Sequence, residues 1–425
     1  MTPTPPGAGA GAGAALAGCF RDEWPKLVAG AARITGDVGA AEEIVQEVLV
    51  TALARWPFAG VPERPGAWLM TATRNRARNH VRDQSRALAR QDALAPLAGV
   101  EAAPAGAGPI ADDRLRLIFV ACHPVLAPEA QVALTLRLIG GLSTRQIARA
   151  FLQPEATVAQ RLVRAKRTLA DTRVPFAVPP ADEWAQRLPA VLGTVYLIFN
   201  EGYATADGTS LTRDDLCEEA LRLGRLVGEL LPSVAEVHGL IALMELHVAR
   251  SATRVDDDGR LVLLADQARD RWDRARIAAG LAALERAKGL GAPGPLTLQA
   301  ELAACHATAP SWEATDWAQI VGLYDRLAAV APSPVVALNR AVALAMLHGP
   351  EHGLRELDAL VEDGDLDGYH LLWAARADLL RRCGRPGDAA EAYRRALALA
   401  GNPVEQRYLA DRLAECEAPT NQKGA

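Results

Sequence analysis

Between Gly141 and Arg167 the chain carries two short helical periods separated by Gln153-Pro154, a pattern that few folds accommodate. Ser143 is a good N-cap, and Ile147, Ala148 and Phe151 behind it fall at helical spacing. Pro154 ends that helix and suits the first turn of the next, where a missing N–H costs nothing. In the second helix Val158, Leu162, Ala165 and Leu169 form an apolar stripe. Thr157, Gln160, Arg161, Arg164 and Arg167 line the other side. Packed on one face and carrying hydroxyl, amide and guanidinium groups on the other, such a helix meets the needs of major-groove reading. By itself, the pattern equally fits an ordinary amphipathic helical hairpin.

The surrounding chain narrows the choice. At 425 residues it is too long for one simple core, and several domains are expected. Its Ala/Leu/Arg-rich texture shows little strand alternation, which predicts an all-α, multidomain protein. No apolar run approaches the roughly 18–20 residues of a membrane span, so no membrane partner is expected. The Gly/Ala/Pro-rich start lacks the basic and apolar regions of a signal peptide. Six cysteines are scattered without metal-ligand or paired spacing, which fits reduced thiols and a cytoplasmic location. The net charge of −5 hides an asymmetry. Residues 1–175 hold 21 Lys and Arg against 15 Asp and Glu, whereas the remainder holds 25 against 36. A basic front joined to an acidic back predicts that only the front meets a polyanion.

Seven segments follow from this reading: a flexible tail 1–19, a helical module 20–90, a linker 91–111, the helix–turn–helix module 112–175, a helical middle domain 176–290, a repeat region 291–418 and a tail 419–425. In the first module, Ala40 to Trp56 predicts an amphipathic helix with Ile44, Val48, Leu49 and Ala52 inward. Glu42, Glu43, Gln46 and Glu47 form an acidic edge opposite, and Pro57 to Pro65 reads as a loop. The next helix, Pro65 to Arg90, carries Arg74, Arg76, Arg78, Arg82, Arg86 and Arg90 against a lone Asp83. In the repeat region Tyr324 and Tyr393 stand 69 residues apart, close to twice the tetratricopeptide period of about 34 residues. A middle unit runs from Ala337 to Leu360, with Gly349-Pro350 at its turn. Stacked units of this kind predict a structural or partner-binding solenoid, against a plain helical bundle.

Taken in order, these motifs resemble the extracytoplasmic-function sigma factors of bacterial RNA polymerase. Ala41-Glu-Glu-Ile-Val-Gln-Glu-Val48 resembles region 2.2, Ala67 to Ala77 resembles regions 2.3–2.4, and Thr157 to Ala165 resembles region 4.2. The back half resembles the extension of a subgroup with a C-terminal tetratricopeptide-like region. That likeness rests on Val195 to Tyr203, Leu216 to Leu223, Asp266 to Asp273, Thr315-Asp-Trp317 and Pro334 to Ala343, with Cys122-His-Pro124 in the front half. Ala156 and Ala159-Gln160 depart from the usual region 4.2 pattern, and this bears on promoter sequence more than on class of function.

The resemblance implies partners and residues. Core RNA polymerase, through its clamp coiled coil and flap, and promoter DNA are the implied partners; a protein partner of the repeats is a further one. Glu42, Glu43, Gln46 and Glu47 would meet the clamp. Trp68, Arg74, Asn75, Arg76, Arg78, Asn79 and Arg82 would engage the −10 element, although Trp68 also suits a core anchor. Ser143, Thr144, Arg145, Glu155, Thr157, Gln160, Arg161, Arg164, Lys166 and Arg167 would engage the −35 element. The extension would regulate activity in cis.

No catalytic residue, metal or cofactor is expected. His238, Glu245 and His247 lie close in sequence, with Asn200-Glu-Gly-Tyr203 upstream. His247 does not share a helical face with the other two, and core or surface roles are favoured over a metal site. Asn200 to Tyr203 reads as a helix-end motif. Two other classes stay open: a conventional helix–turn–helix regulator with a helical sensor domain, and an enzyme or ligand receptor built on residues 181–418.

Overall fold

A computed structural model of the chain describes residues 23–92, 113–151, 153–180, 183–203 and 213–418. The expected tails 1–19 and 419–425, and nearly all of the expected linker 91–111, lie outside the described residues. Every regular element among the described residues is helical, apart from one isolated bridge between Val255 and Leu261. The chain divides after Leu197 into two compact units.

The first unit opens with α1 (residues 23–35), α2 (Val38–Ala59) and α3 (Pro65–Asp92). Asp37 separates the first two: its carboxylate accepts from Gly39 N at 2.6 Å and Ala40 N at 3.1 Å, capping α2. Gly36 turns the chain there at φ +71°, a conformation open to glycine. Contrary to the expected loop from Pro57, α2 runs on through Pro57 to Ala59 and stops at Gly60, φ +82°. Pro57 gives up the bond its N–H would make to the Leu53 carbonyl, yet its fixed φ is helical and the Gly60 N–H still donates to Trp56 O at 3.0 Å, so the last turn closes around it. Trp56 of α2 meets Trp68 of α3 edge to face, with centroids 5.6 Å apart.

Four further helices make the second half of this unit: α4 (Asp113–Ala121), α5 (Pro128–Leu138), α6 (Thr144–Ala150) and α7 (Glu155–Asp171). The predicted Ser143 cap forms a full capping box, Ser143 Oγ accepting from Gln146 N while Gln146 Oε1 accepts from Ser143 N. Pro154 sits at the N-cap of α7, one position earlier than the expected first turn. The stripe of Val158, Leu162, Ala165 and Leu169 is buried, as the period-3.6 pattern requires. The next helix, α8 (Trp184–Tyr203), packs its first half on this group through Trp184 on Phe119 and Thr194 on Gln131.

In the second unit α10 (Ala235–Val248) is flanked by α9 (Asp214–Leu230), α11 (Arg274–Leu290) and α12 (Pro295–Thr308). Between α12 and the C-terminus each helix packs on its sequence neighbour: α13 (Trp317–Val330), α14 (Pro334–His348), α15 (Pro350–Asp363), α16 (His370–Arg382), α17 (Pro386–Leu399) and α18 (Pro403–Glu417). Five of these helices, counting α12, begin with proline, where the absent N–H has no intrahelical partner to lose. Gly291 to Pro295 is a turn between α11 and α12, and α12 packs on α10 as well as on α13. No helix among the described residues is long and apolar enough to cross a membrane.

Close helix approach fixes α10. Glu236 accepts from Leu296 N at 2.9 Å and Thr297 N at 3.1 Å, capping α12 from outside. A Cβ on Gly239 would fall 2.8 Å from Thr297 N, against backbone that has nowhere to go. Gly239→Ala is therefore expected to destabilise the protein by about 1–3 kcal/mol through overpacking. Chemical denaturation of the full chain checks this; an unchanged midpoint would contradict the α10–α12 contact.

Candidate functional site

Three helical surfaces of the first unit carry the residues that the sequence singles out. On α7, Glu155, Thr157, Gln160, Arg164 and Arg167 are exposed. Arg164 is held only by its helix neighbour Gln160, at 3.3 Å, and Arg167 by Asp171 at 3.5 Å. Exposed pairs this loose contribute little stability, so these side chains exchange partners at small cost. Arg161 differs: it is half-buried and donates to Gln153 Oε1 at 2.9 Å, bracing the turn between α6 and α7. Ser143 and Arg145 are exposed at the start of α6 with Thr144 half-buried between them, but the Ser143 hydroxyl is committed to its cap. Beside α7 runs a groove of about 310 Å³, with Val125, Ala127 and Glu129 facing Thr157, Arg161 and Arg164.

The second surface is α3. Arg74, Asn75, Arg76, Arg78, Asn79 and Arg82 are all exposed, whereas Leu69, Thr73 and Ala77 face inward. Arg76 pairs with Glu47 of α2 at 2.7 Å, and this bond raises the guanidinium pKa further. Arg82 donates to Asn79 one turn back. Trp68 is half-buried against Trp56, so both expected roles, anchor and accessible ring, coexist. The Arg90 side chain lies outside the described residues.

The third surface is the acidic edge of α2, and here the expectation needs correcting. Glu43 and Glu47 are exposed and Gln46 is half-buried, but Glu42 is only 3% exposed. Its carboxylate accepts from Arg137 Nε of α5, from Lys166 Nζ of α7 at 3.0 Å and from Gln46 Nε2 at 2.9 Å. Glu42 falls on the buried side because Val38, Ala41 and Val45 make the inward stripe wider than Ile44, Val48, Leu49 and Ala52 alone. Lys166, expected to face DNA, is thereby turned toward α2. Two more contacts tie α1 to α5 and to α4: Trp24 Nε1 donates to the Arg137 carbonyl at 3.0 Å, and Arg33 pairs with Asp113 at 3.0 Å.

Sequence reasoning missed Arg137, although a lone cation on the apolar helix α5 signals a buried counter-charge elsewhere. It also missed Val50, Leu53 and Phe58, which are 64%, 48% and 80% exposed. Val50 follows Glu43 and Glu47 at helical spacing, so the accessible edge of α2 is mixed acidic and apolar.

Residues His238, Glu245 and His247 are not brought together. His238 Nε2 lies 2.9 Å from the Pro232 carbonyl, while Glu245 is buried between Arg225 and Arg276. Among the described residues no group of three or more His, Cys, Asp or Glu could hold a metal. Gly202, within the Asn200 to Tyr203 motif, lets the start of α9 approach: a Cβ there would lie 2.8 Å from Cys217 N.

Comparison with known proteins fits this geometry. Residues 19–87 match the sigma-70 region 2 family and residues 116–169 match sigma-70 region 4. Residues 187–288 match a family of unknown function, DUF6596. An uncharacterised protein of Rhizobium meliloti (strain 1021) is 43% identical over 390 residues, covering 91% of this chain and 92% of that protein. The chain belongs to the same family as that protein. A probable ECF RNA polymerase sigma factor, SigI, of Mycobacterium tuberculosis is 30% identical over 170 residues. That match takes in 39% of this chain and 58% of SigI. The protein thus carries sigma-70 regions 2 and 4 followed by a DUF6596 domain, and is a distant homologue of ECF sigma factors.

In this chain the region 2 and region 4 domains meet across Glu42, and removing its carboxylate strands two cations. Glu42→Ala is expected to cost about 1–3 kcal/mol, below the full range for a buried pair because Arg137 and Lys166 keep some solvent access. Hydrogen–deuterium exchange should rise in 128–138 and 155–171; unchanged protection there would show that Glu42 does not hold the two domains together.

Proposed function

We propose that the protein is an alternative sigma factor that binds core RNA polymerase and directs it to promoters. The observation that carries this reading is the pairing of two polar DNA-type faces, on α3 and α7, within the sigma-70 region 2 and region 4 matches. On α3 the exposed guanidiniums would hold phosphate and set register, while Asn75 and Asn79 offer amides to bases of an opened −10 element. On α7 Thr157, Gln160 and Arg164 are the free reading groups for the −35 element, with Arg167 on phosphate. Arg161 orders the turn that presents them.

Glu43, Gln46 and Glu47, with Val50 and Leu53 beside them, would dock on the polymerase clamp. Glu42 joins that surface only when Arg137 and Lys166 give it up. Engagement of polymerase would then exchange an internal ion pair for an intermolecular one, freeing Lys166 toward DNA.

The second unit would act in cis as a regulatory or partner-docking extension. Its last helices support a tetratricopeptide-like reading: α13, α15 and α17 begin at 317, 350 and 386, each step close to the period of about 34 residues. Tyr324 and Tyr393 occupy α13 and α17. The middle unit then comprises α15 and α16, one helix later than the Ala337 to Leu360 unit of the sequence reading.

Run-off transcription with core polymerase and the full chain tests the proposal. Arg164→Ala and Gln160→Ala should each cut discrimination between correct and altered −35 sequences by about 5- to 150-fold, with transcription from extended −10 control templates less affected. Glu43→Arg should weaken association with core. DNA binding by the free chain without any core association would instead favour a conventional helix–turn–helix regulator.

A further inference from the structure

The second unit gathers positive charge and imidazoles around one small cavity. His247 of α10 and His306 of α12 line it, with Arg250, Leu246, Leu264 and Trp272, and its volume is about 30 Å³. Tyr203 stands beside them, its ring 5.0 Å from that of His247 and under two guanidiniums, Arg254 at 4.1 Å and Arg250 at 5.5 Å. Arg269 closes the other side, donating to the carbonyls of His306 at 2.6 Å and Ala309 at 2.9 Å while lying over Trp272.

Two features need an explanation. Among the described residues no carboxylate comes within ion-pairing distance of Arg250, Arg254 or Arg269; their nearest partners are rings and backbone carbonyls. This contrasts with the arginines around Glu245, which are fully paired. Secondly, four buried polar atoms in the same place lack a hydrogen-bond partner among the described residues: Tyr203 Oη, His247 Nδ1, His306 Nδ1 and Arg269 Nη2. Buried polar atoms are normally satisfied, and a concentration of exceptions marks a place where a partner belongs. Water would satisfy the dipoles but bring no counter-charge, and Glu405 and Glu313 act on Arg254 and Arg269 only from beyond ion-pairing distance.

We propose that this cavity is a binding site for a small oxyanion, of phosphate or carboxylate chemistry, held by Arg250, His247 and His306. The volume suits a group the size of a few waters. A cation is disfavoured because the imidazoles share the site with arginine and no carboxylate. The imidazoles are tuned for the role. Burial, then the nearby arginines, pushes His306 down to about 4 and His247 well below its ordinary value. Both are therefore neutral at pH 7, each with one N–H to donate. An arriving anion opposes the effect of the arginines, though not that of burial, and favours the protonated rings, so binding should take up protons as the pH is lowered toward about 4.

Titration calorimetry on the full chain tests this, using sodium phosphate and sodium acetate in separate arms at constant ionic strength, with chloride as the balancing salt. The expected result is saturable binding of one or both anions, weakened at least about tenfold in Arg250→Met and in His306→Gln. As the pH is lowered from 6 to 5, where phosphate is almost wholly the monoanion, its affinity should rise as the imidazoles take up protons. Which arm saturates identifies the chemistry. Absence of saturable heat to a Kd of about 10 mM in either arm would overturn the proposal. So would affinities equal to wild type in both variants, because anions held by the DNA-facing arginines survive these changes. Circular dichroism confirms that each variant is folded, and two independent substitutions keep the outcome decisive should one fail.

Discussion

One carboxylate, that of Glu42, organises the first unit. It lies on a helix of region 2 and is held by a guanidinium and an ammonium from two helices of region 4. Burying a lone carboxylate would be costly, and burying it between two cations leaves one positive charge in excess, moderated by their partial exposure. Geometry, not raw electrostatic gain, is what this cluster supplies. It fixes the approach of α2 to α7 at one register, with Trp24 and Arg33 adding independent bonds nearby. In the proposed polymerase-bound state the same residues would be released, so domain packing and the proposed function draw on shared groups.

Much of the fold was legible because it is written locally. The α7 stripe, the Ser143 capping box, the Asp37 break and the proline starts of the late helices each need only a few consecutive residues. The place of Glu42 was not legible, since its partners are 95 and 124 residues away and nothing in a helical period distinguishes a wide buried stripe from a narrow one. Pro57 misled for a related reason: the one bond it removes near the helix end is outweighed by contacts distant in sequence, Trp56 against Trp68 among them. On the candidate surfaces, exposure of Thr157, Gln160 and Arg164 followed from periodicity, but the bracing of Arg161 by Gln153 required the turn geometry.

The second unit shows how distant residues create chemistry that no motif announces. Tyr203, His247, Arg269 and His306 come from four separate segments, and no spacing along the chain links them. Only the fold shows that their polar atoms converge without partners. Glu245, weighed from sequence beside His247, turns instead to arginines of α9 and α11 and serves packing.

The late helices, each resting on its neighbours in sequence, have a mechanical consequence. In a stack built mainly from nearest-neighbour contacts, few ties, such as His370 of α16 with Glu405 of α18, reach past the next helix to share a load. Tension applied at the C-terminus would peel α18 from α17 before it disturbed α13, and the array would yield stepwise, one helix at a time. The second unit is thus compliant toward its far end and stiff around α10, where four helices meet and capping carboxylates cross between them.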